Sequence, residues 1–234
     1  MEVAFRPDIH YLMPNKARWH GFRPNRYTWP PHIERPIPMT VTGRIAFLGD
    51  SHMKYLFRSY RRQYPRDIDN ICYFGRGGEF LGVGGEQDNI FLRKYLPLII
   101  SWRPSRIFVW VGGNDMGRNN ASDTHKAIFL RFMILIDTLR WYMGDNATVA
   151  LYQPNRDMDR SCLDKEAFKR KSISFNRHFR IMHRSQYYML PWRCYVFRPE
   201  VRNDQAIYLY DGCHLKRDMY DEIARDLHQH YLPH

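Results

Sequence analysis

The sequence predicts an α/β domain built on a parallel β-sheet, and two observations carry that expectation. From Gly43 onward, short apolar runs alternate with longer amphipathic stretches, which is how repeated βαβ units read in one dimension. The residues with chemical potential follow those apolar runs, where the carboxyl ends of parallel strands meet their loops.

Taken in order, residues 44–48 (RIAFL) form the first expected strand and residues 51–62 the first helix, with Met53, Leu56, Phe57 and Tyr60 on one face. Residues 71–74 read as a second strand entering the turn Gly75-Arg76-Gly77-Gly78. Asp88 is placed to cap a helix reaching about Ser101, strained near Pro97. The apolar run Ile107 to Val111 is a buried strand that exits into Gly112-Gly113-Asn114-Asp115. A long helix over 124–143 turns Ile128, Phe132, Leu135, Ile136 and Leu139 inward, and residues 148–152 supply a fourth strand. A helix over 164–185 carries a basic run, and residues 195–197 read as a short fifth strand. The loop that follows delivers Asp211-Gly212-Cys213-His214 to a final helix over 215–231, with Leu215, Met219, Ile223, Leu227 and Tyr231 at a four-residue step.

Residues 1–42 precede this pattern and differ from it. They are rich in proline and aromatics (Pro24, Pro30, Pro31, Pro36 and Pro38 among Trp19, Tyr27 and Trp29) without a sustained period. Proline fixes φ and removes donors, so an irregular arm is expected, its aromatics docked on a domain spanning 43–234. The four cysteines (Cys72, Cys162, Cys194, Cys213) form no close pair, which excludes a zinc ribbon or disulfide-stapled scaffold and fits a reducing compartment. No stretch approaches the roughly 20 apolar residues of a membrane span, and no secretory h-region is visible. The expectation is a soluble intracellular protein, cytoplasmic or nuclear.

Lysine and arginine number 36 against 24 acidic residues, a net charge of +12. Positive potential of that size concentrates polyanions. The densest basic run, 165–184 with Lys169-Arg170-Lys171 inside it, reads either as a solvated helix face or as a patch for nucleic acid.

Alone, Ser51 at a strand-to-helix junction reads as a helix cap. Its neighbours suggest more. A serine needs a base within hydrogen-bond reach to become a nucleophile, and the base needs an acid to fix its tautomer. Asp211 and His214, three residues apart on one loop, can supply both. Acyl transfer also needs preformed donors for an oxyanion. Gly78 can offer an unobstructed backbone N–H and Asn114 its side-chain amide.

With these segments in order, the sequence resembles the SGNH (GDSL-type) hydrolases from Gly43 to about Tyr231. The four blocks are Phe47-Leu48-Gly49-Asp50-Ser51, the Gly75 to Gly78 turn, Gly112-Gly113-Asn114-Asp115 and Asp211-Gly212-Cys213-His214. The resemblance implies a flavodoxin-like three-layer sandwich, with helices on both faces of a five-stranded parallel sheet. It implies a serine esterase working through an acyl-enzyme on an acyl-ester substrate. Ser51 would be nucleophile and, through its N–H, one oxyanion donor, with Gly78 and Asn114 the others. Asp211 would orient His214, the base. No metal or organic cofactor is required. His52 stands where the family usually has an apolar residue and reads as solvent-facing or packed at the helix start. Glu79-Phe80 replace the common Asp-Thr, Glu79 keeping the hydrogen bonds of the oxyanion turn and Phe80 narrowing the acyl pocket.

Two other readings compete. A nucleic-acid-binding module on the same scaffold, with or without catalysis, would use the 165–184 surface, and the chain is similar in flavour to the esterase domains in the first open reading frame of some LINE retrotransposons. A metal-dependent hydrolase would need more than His228-x-His230, whose members point in different directions on a helix and lack a third ligand nearby.

Overall fold

The computed structural model describes residues 40–82, 88–118, 124–144, 147–151, 165–184, 193–195, 209 and 211–232. Most of the expected arm lies outside these residues. β1 (Val41–Gly49) begins three residues before the expected strand at 44–48. The backbone of Val41 already donates to Arg103 O at 2.7 Å, which draws the strand's start toward β3.

The elements after β1 are α1 (Ser51–Gln63), a 3-10 turn (Pro65–Asn70), β2 (Ile71–Gly75), α2 (Ile90–Trp102), β3 (Pro104–Trp110) and α3 (Gly113–Gly117). Then come α4 (His125–Met143), β4 (Thr148–Leu151), α5 (Lys165–Arg184), β5 (Arg193–Tyr195) and α6 (Arg217–Tyr231). The strands form one parallel sheet in the order β2-β1-β3-β4-β5. The expected α/β sandwich is therefore the observed architecture. The first crossover runs outward to β2 and the next returns past β1 to β3, so the winding reverses between β1 and β3. That reversal opens a crevice above their carboxyl ends.

Side chains alternate along each strand and divide the core in two. Ala46, Leu48, Ile107, Val109 and Ala150 face a cluster with Phe91, Leu96, Ile128, Phe132 and Phe175 from α2, α4 and α5. Ile45, Phe47, Phe108, Trp110 and Val149 face the opposite way, against Met53, Leu56 and Tyr60 of α1 and Tyr220, Ile223 and Leu227 of α6. The inward residues expected on the long helix are all buried.

Helix ends account for the differences in boundary. Asn89, not Asp88, caps α2, its side chain accepting from Leu92 N at 3.1 Å while Asp88 pairs with Arg93. Leu215 is buried before α6 starts, and Tyr220 replaces Met219 in the buried stripe with Ile223, Ala224 and Leu227.

Candidate active site

Gly49 ends β1 where the chain has no room for a side chain: a Cβ there would lie 2.2 Å from Trp110 O and 2.6 Å from Met53 Cβ. The close approach lets the chain turn directly from β1 into α1 beside the end of β3. Asp50, fully buried, caps the helix by accepting from His52 N at 3.0 Å. Ser51 is thus the first helical residue, not the cap, and its hydroxyl is left for another partner. That partner is His214, whose Nε2 lies 2.8 Å from Ser51 Oγ.

The His214 ring is set by its own loop. Nδ1 lies 2.6 Å from Asp211 Oδ2, and Asp211 Oδ1 accepts from the backbone N–H groups of Cys213 and His214, each at 2.9 Å. Gly212 takes a positive φ of 61° to close this turn. Burial works to raise the Asp211 carboxyl, but hydrogen bonds from the His214 ring and from the His214 and Cys213 N–H groups outweigh it. The carboxyl is held below its ordinary value. With Asp211 ionised, Nδ1 carries the imidazole proton and Nε2 is free to accept from Ser51.

On the other side, the turn after β2 lies over the serine, since a Cβ on Gly77 would meet Ser51 Cβ at 3.8 Å. Gly78 follows with φ of +77°, in a conformation that favours glycine. Asn114, on α3 after β3, donates from Nδ2 to Glu79 O at 2.9 Å and faces Asp50 Oδ2 at 3.4 Å. The structure therefore brings Ser51, Asp211 and His214 into one hydrogen-bonded chain, with the Gly78 turn and Asn114 on the flank across the β1–β3 crevice.

Solved structures with the same architecture include lipases and an esterase by name. A GDSL-like lipase from Bacteroides thetaiotaomicron matches with a TM-score of 0.63 at 16% identity, over 80% of this chain and 86% of that one. An acetyl xylan esterase matches at 0.55 and 13% identity, over 79% and 97%. A lipase from a goat rumen metagenome matches at 0.53 and 15%, over 81% and 98%. The fold is that of the SGNH hydrolases. No protein-family profile matches the sequence, and neither does any curated protein.

Within this SGNH fold, residues outside the expected set shape the site. Asp115, fully buried, accepts from Leu81 N at 3.0 and 2.9 Å and from Gly82 N at 3.4 Å, with Arg131 NH1 3.9 Å away. The Glu79 carboxylate accepts from Lys94 Nζ and Tyr95 OH of α2, each at 2.5 Å. Phe80 lies under the Arg118 guanidinium, 4.4 Å from the ring centroid. His52 is not solvent-facing. It is fully buried, stacks on Trp110 at 5.0 Å, and lies 2.9 Å through Nδ1 from Tyr220 OH. The Asp50-Ser51-His52 run gives no sign of this, because the partner is 168 residues away.

The basic run on α5 is only partly outward. Lys169, Arg170 and Arg177 are exposed, while Lys171 is half-buried and donates from Nζ to Arg118 O at 2.9 Å. His228 belongs to packing, its ring stacked on Tyr64 at 3.8 Å and its Nδ1 2.8 Å from Tyr60 OH. Among the described residues no group of His, Cys, Asp and Glu is placed to hold a metal ion. No helix among them is long and apolar enough to cross a membrane. Burial raises the Cys72 thiol above its ordinary value.

Proposed function

We propose that this chain is a serine esterase that cleaves acyl esters through an acyl-enzyme. The observation that carries the reading is the His214 imidazole spanning Ser51 Oγ at 2.8 Å and Asp211 Oδ2 at 2.6 Å. Ser51 attacks the ester carbonyl as its proton passes to His214 Nε2, and Asp211 stabilises the imidazolium that forms. The carbonyl oxygen becomes an oxyanion held by the N–H groups of Ser51 and Gly78 and the amide of Asn114. Glu79 O fixes one proton of that amide; the other faces Asp50 only at 3.4 Å and is the one a substrate oxygen takes. His214 returns its proton to the leaving alcohol, and a water activated by the same base releases the acid.

The test joins activity to labelling. The purified protein is expected to hydrolyse short p-nitrophenyl esters and to take up a fluorophosphonate probe at Ser51, with both lost in Ser51→Ala. A probe that fails to label the wild type, together with equal ester turnover by wild type and Ser51→Ala, would overturn the reading.

A further inference from the structure

His52 and Tyr220 lie buried beside the Ser51–His214 pair. Each is one step in sequence or contact from a reacting group. We propose that they form a buried positioning pair that sets His214 against Ser51; the inference rests on the esterase reading above.

The hydrogen bonds run from one side of the site to the other. Leu215 N, the amide following His214, donates to Tyr220 OH at 3.4 Å, and Tyr220 OH meets His52 Nδ1 at 2.9 Å. A backbone N–H can only donate, so the tyrosine oxygen is the acceptor there. The same oxygen pairs with His52 Nδ1, so one hydroxyl bonds both to the amide after His214 and to the residue after Ser51. His52 follows Ser51 and Leu215 follows His214, so Tyr220 ties the nucleophile's helix to the base's loop. The tie is fully interior: His52 is 0%, Tyr220 3% and Leu215 1% exposed.

Ring contacts give the tie a fixed reference. His52 stacks on Trp110, the last residue of β3, at 24° between planes, so the pair is registered to the sheet. The His52 ring is 5.3 Å from the His214 ring. Tyr55, one turn along α1, meets His214 edge-on at 4.9 Å and stacks on Tyr220 at 5.6 Å. The base therefore packs against two rings of α1 whose positions Tyr220 and Trp110 determine.

The experiment compares His52→Phe, which keeps a ring and removes the hydrogen-bonding nitrogen, with His52→Asn, which keeps a hydrogen-bonding amide near the Nδ1 position, and with Tyr220→Phe. Turnover is expressed per fluorophosphonate-titrated site, so misfolded protein does not count. His52→Phe is expected to lower kcat about 10- to 100-fold with KM within about twofold, the size expected when a small misplacement spoils an aligned reaction. His52→Asn should restore most of kcat. Tyr220→Phe should fall comparably, and His52→Phe/Tyr220→Phe no further than the worse single variant, because both act through one tie. If His52→Phe keeps wild-type kcat per titrated site while melting lower, the pair is packing alone and the inference fails with the esterase reading intact. A wild type that the probe does not label ends both.

Discussion

Glu79 acts on the site with two parts of one residue. Its carboxylate accepts from Lys94 and Tyr95 of α2, and its carbonyl accepts from Asn114, so one position links the Gly78 turn to a helix and to Asn114. Its side chain is 5% exposed while that of Lys94 is 49% exposed, so the bond to Tyr95 OH is the more sheltered of the two. Burial, and then the bond to Glu79, raises the Tyr95 hydroxyl above its ordinary value, which keeps it a donor. Glu79→Ala should lose about 1–3 kcal/mol, the usual scale for leaving a buried polar group without its partner. It should also lower kcat with little change in KM, because Asn114 loses no direct contact but its turn loses its anchor. Glu79→Gln retains an oxygen for Tyr95 and should lose less on both counts. A urea midpoint for Glu79→Ala equal to wild type would show that α2 does not hold the turn.

At the level of elements, the α4–α5 contact carries a pH dependence of its own. His125 at the start of α4 stacks on His178 of α5 at 5.5 Å, and Phe129 packs on His178 at 5.3 Å. Burial lowers both imidazoles; each is lowered further by neighbouring cations, His178 and Lys126 for His125, and Lys126 and Arg177 for His178. The His178 bond to Ser174 O works the other way without overcoming burial. The folded state thus resists protons that the unfolded chain accepts below the ordinary value of 6.5. Stability should be full above that pH and decline as pH falls through it toward the lowered folded-state values. The Asp211 contribution is separate, lost only as pH falls below the ordinary 3.8. Denaturant midpoints measured across the imidazole range should show the decline, and His178→Phe should flatten it; an unchanged slope in that variant would assign the effect elsewhere. The strands and the helical faces here were legible from apolar runs and the helical period, since both are local. The first three blocks were legible because each follows a strand, and the Asp211 to His214 block because it stands just before a helix. The capping of α2 was misplaced by one residue, since Asp88 and Asn89 are equally good caps in sequence and only the pairing of Asp88 with Arg93 separates them. Of the two readings of His52 the packed one holds, but its Tyr220 partner was not legible, nor were the bonds of Asp115 to Leu81 and Gly82, because those partners are chosen by tertiary packing between distant segments.

For the molecule as a whole, the site is closed by the two ends of the described domain. Ser51 follows the first strand, His214 precedes the last helix, and nothing local holds them together. What does is the packing of α1 on α6 over one face of the sheet. Along that seam Ser59, Arg62 and Gln63 converge on Asp221, and Tyr60 reaches His228. Beneath it Leu227 is fully buried with Met53, Leu56, Tyr60 and Ile223 in the same cluster. Leu227→Ala removes packing from the centre of the seam and should destabilise the protein by about 2–5 kcal/mol, the range for such truncations in a core. Because the same packing joins Ser51 to His214, the variant should retain near-wild-type kcat while folded and lose it in the transition that unfolds the domain. Activity and far-UV circular dichroism followed through a denaturant series should therefore trace one curve, shifted to lower denaturant in Leu227→Ala. Activity that disappears well before the circular dichroism changes would mean that α6 detaches by itself, and that the join between Ser51 and His214 is weaker than the seam implies.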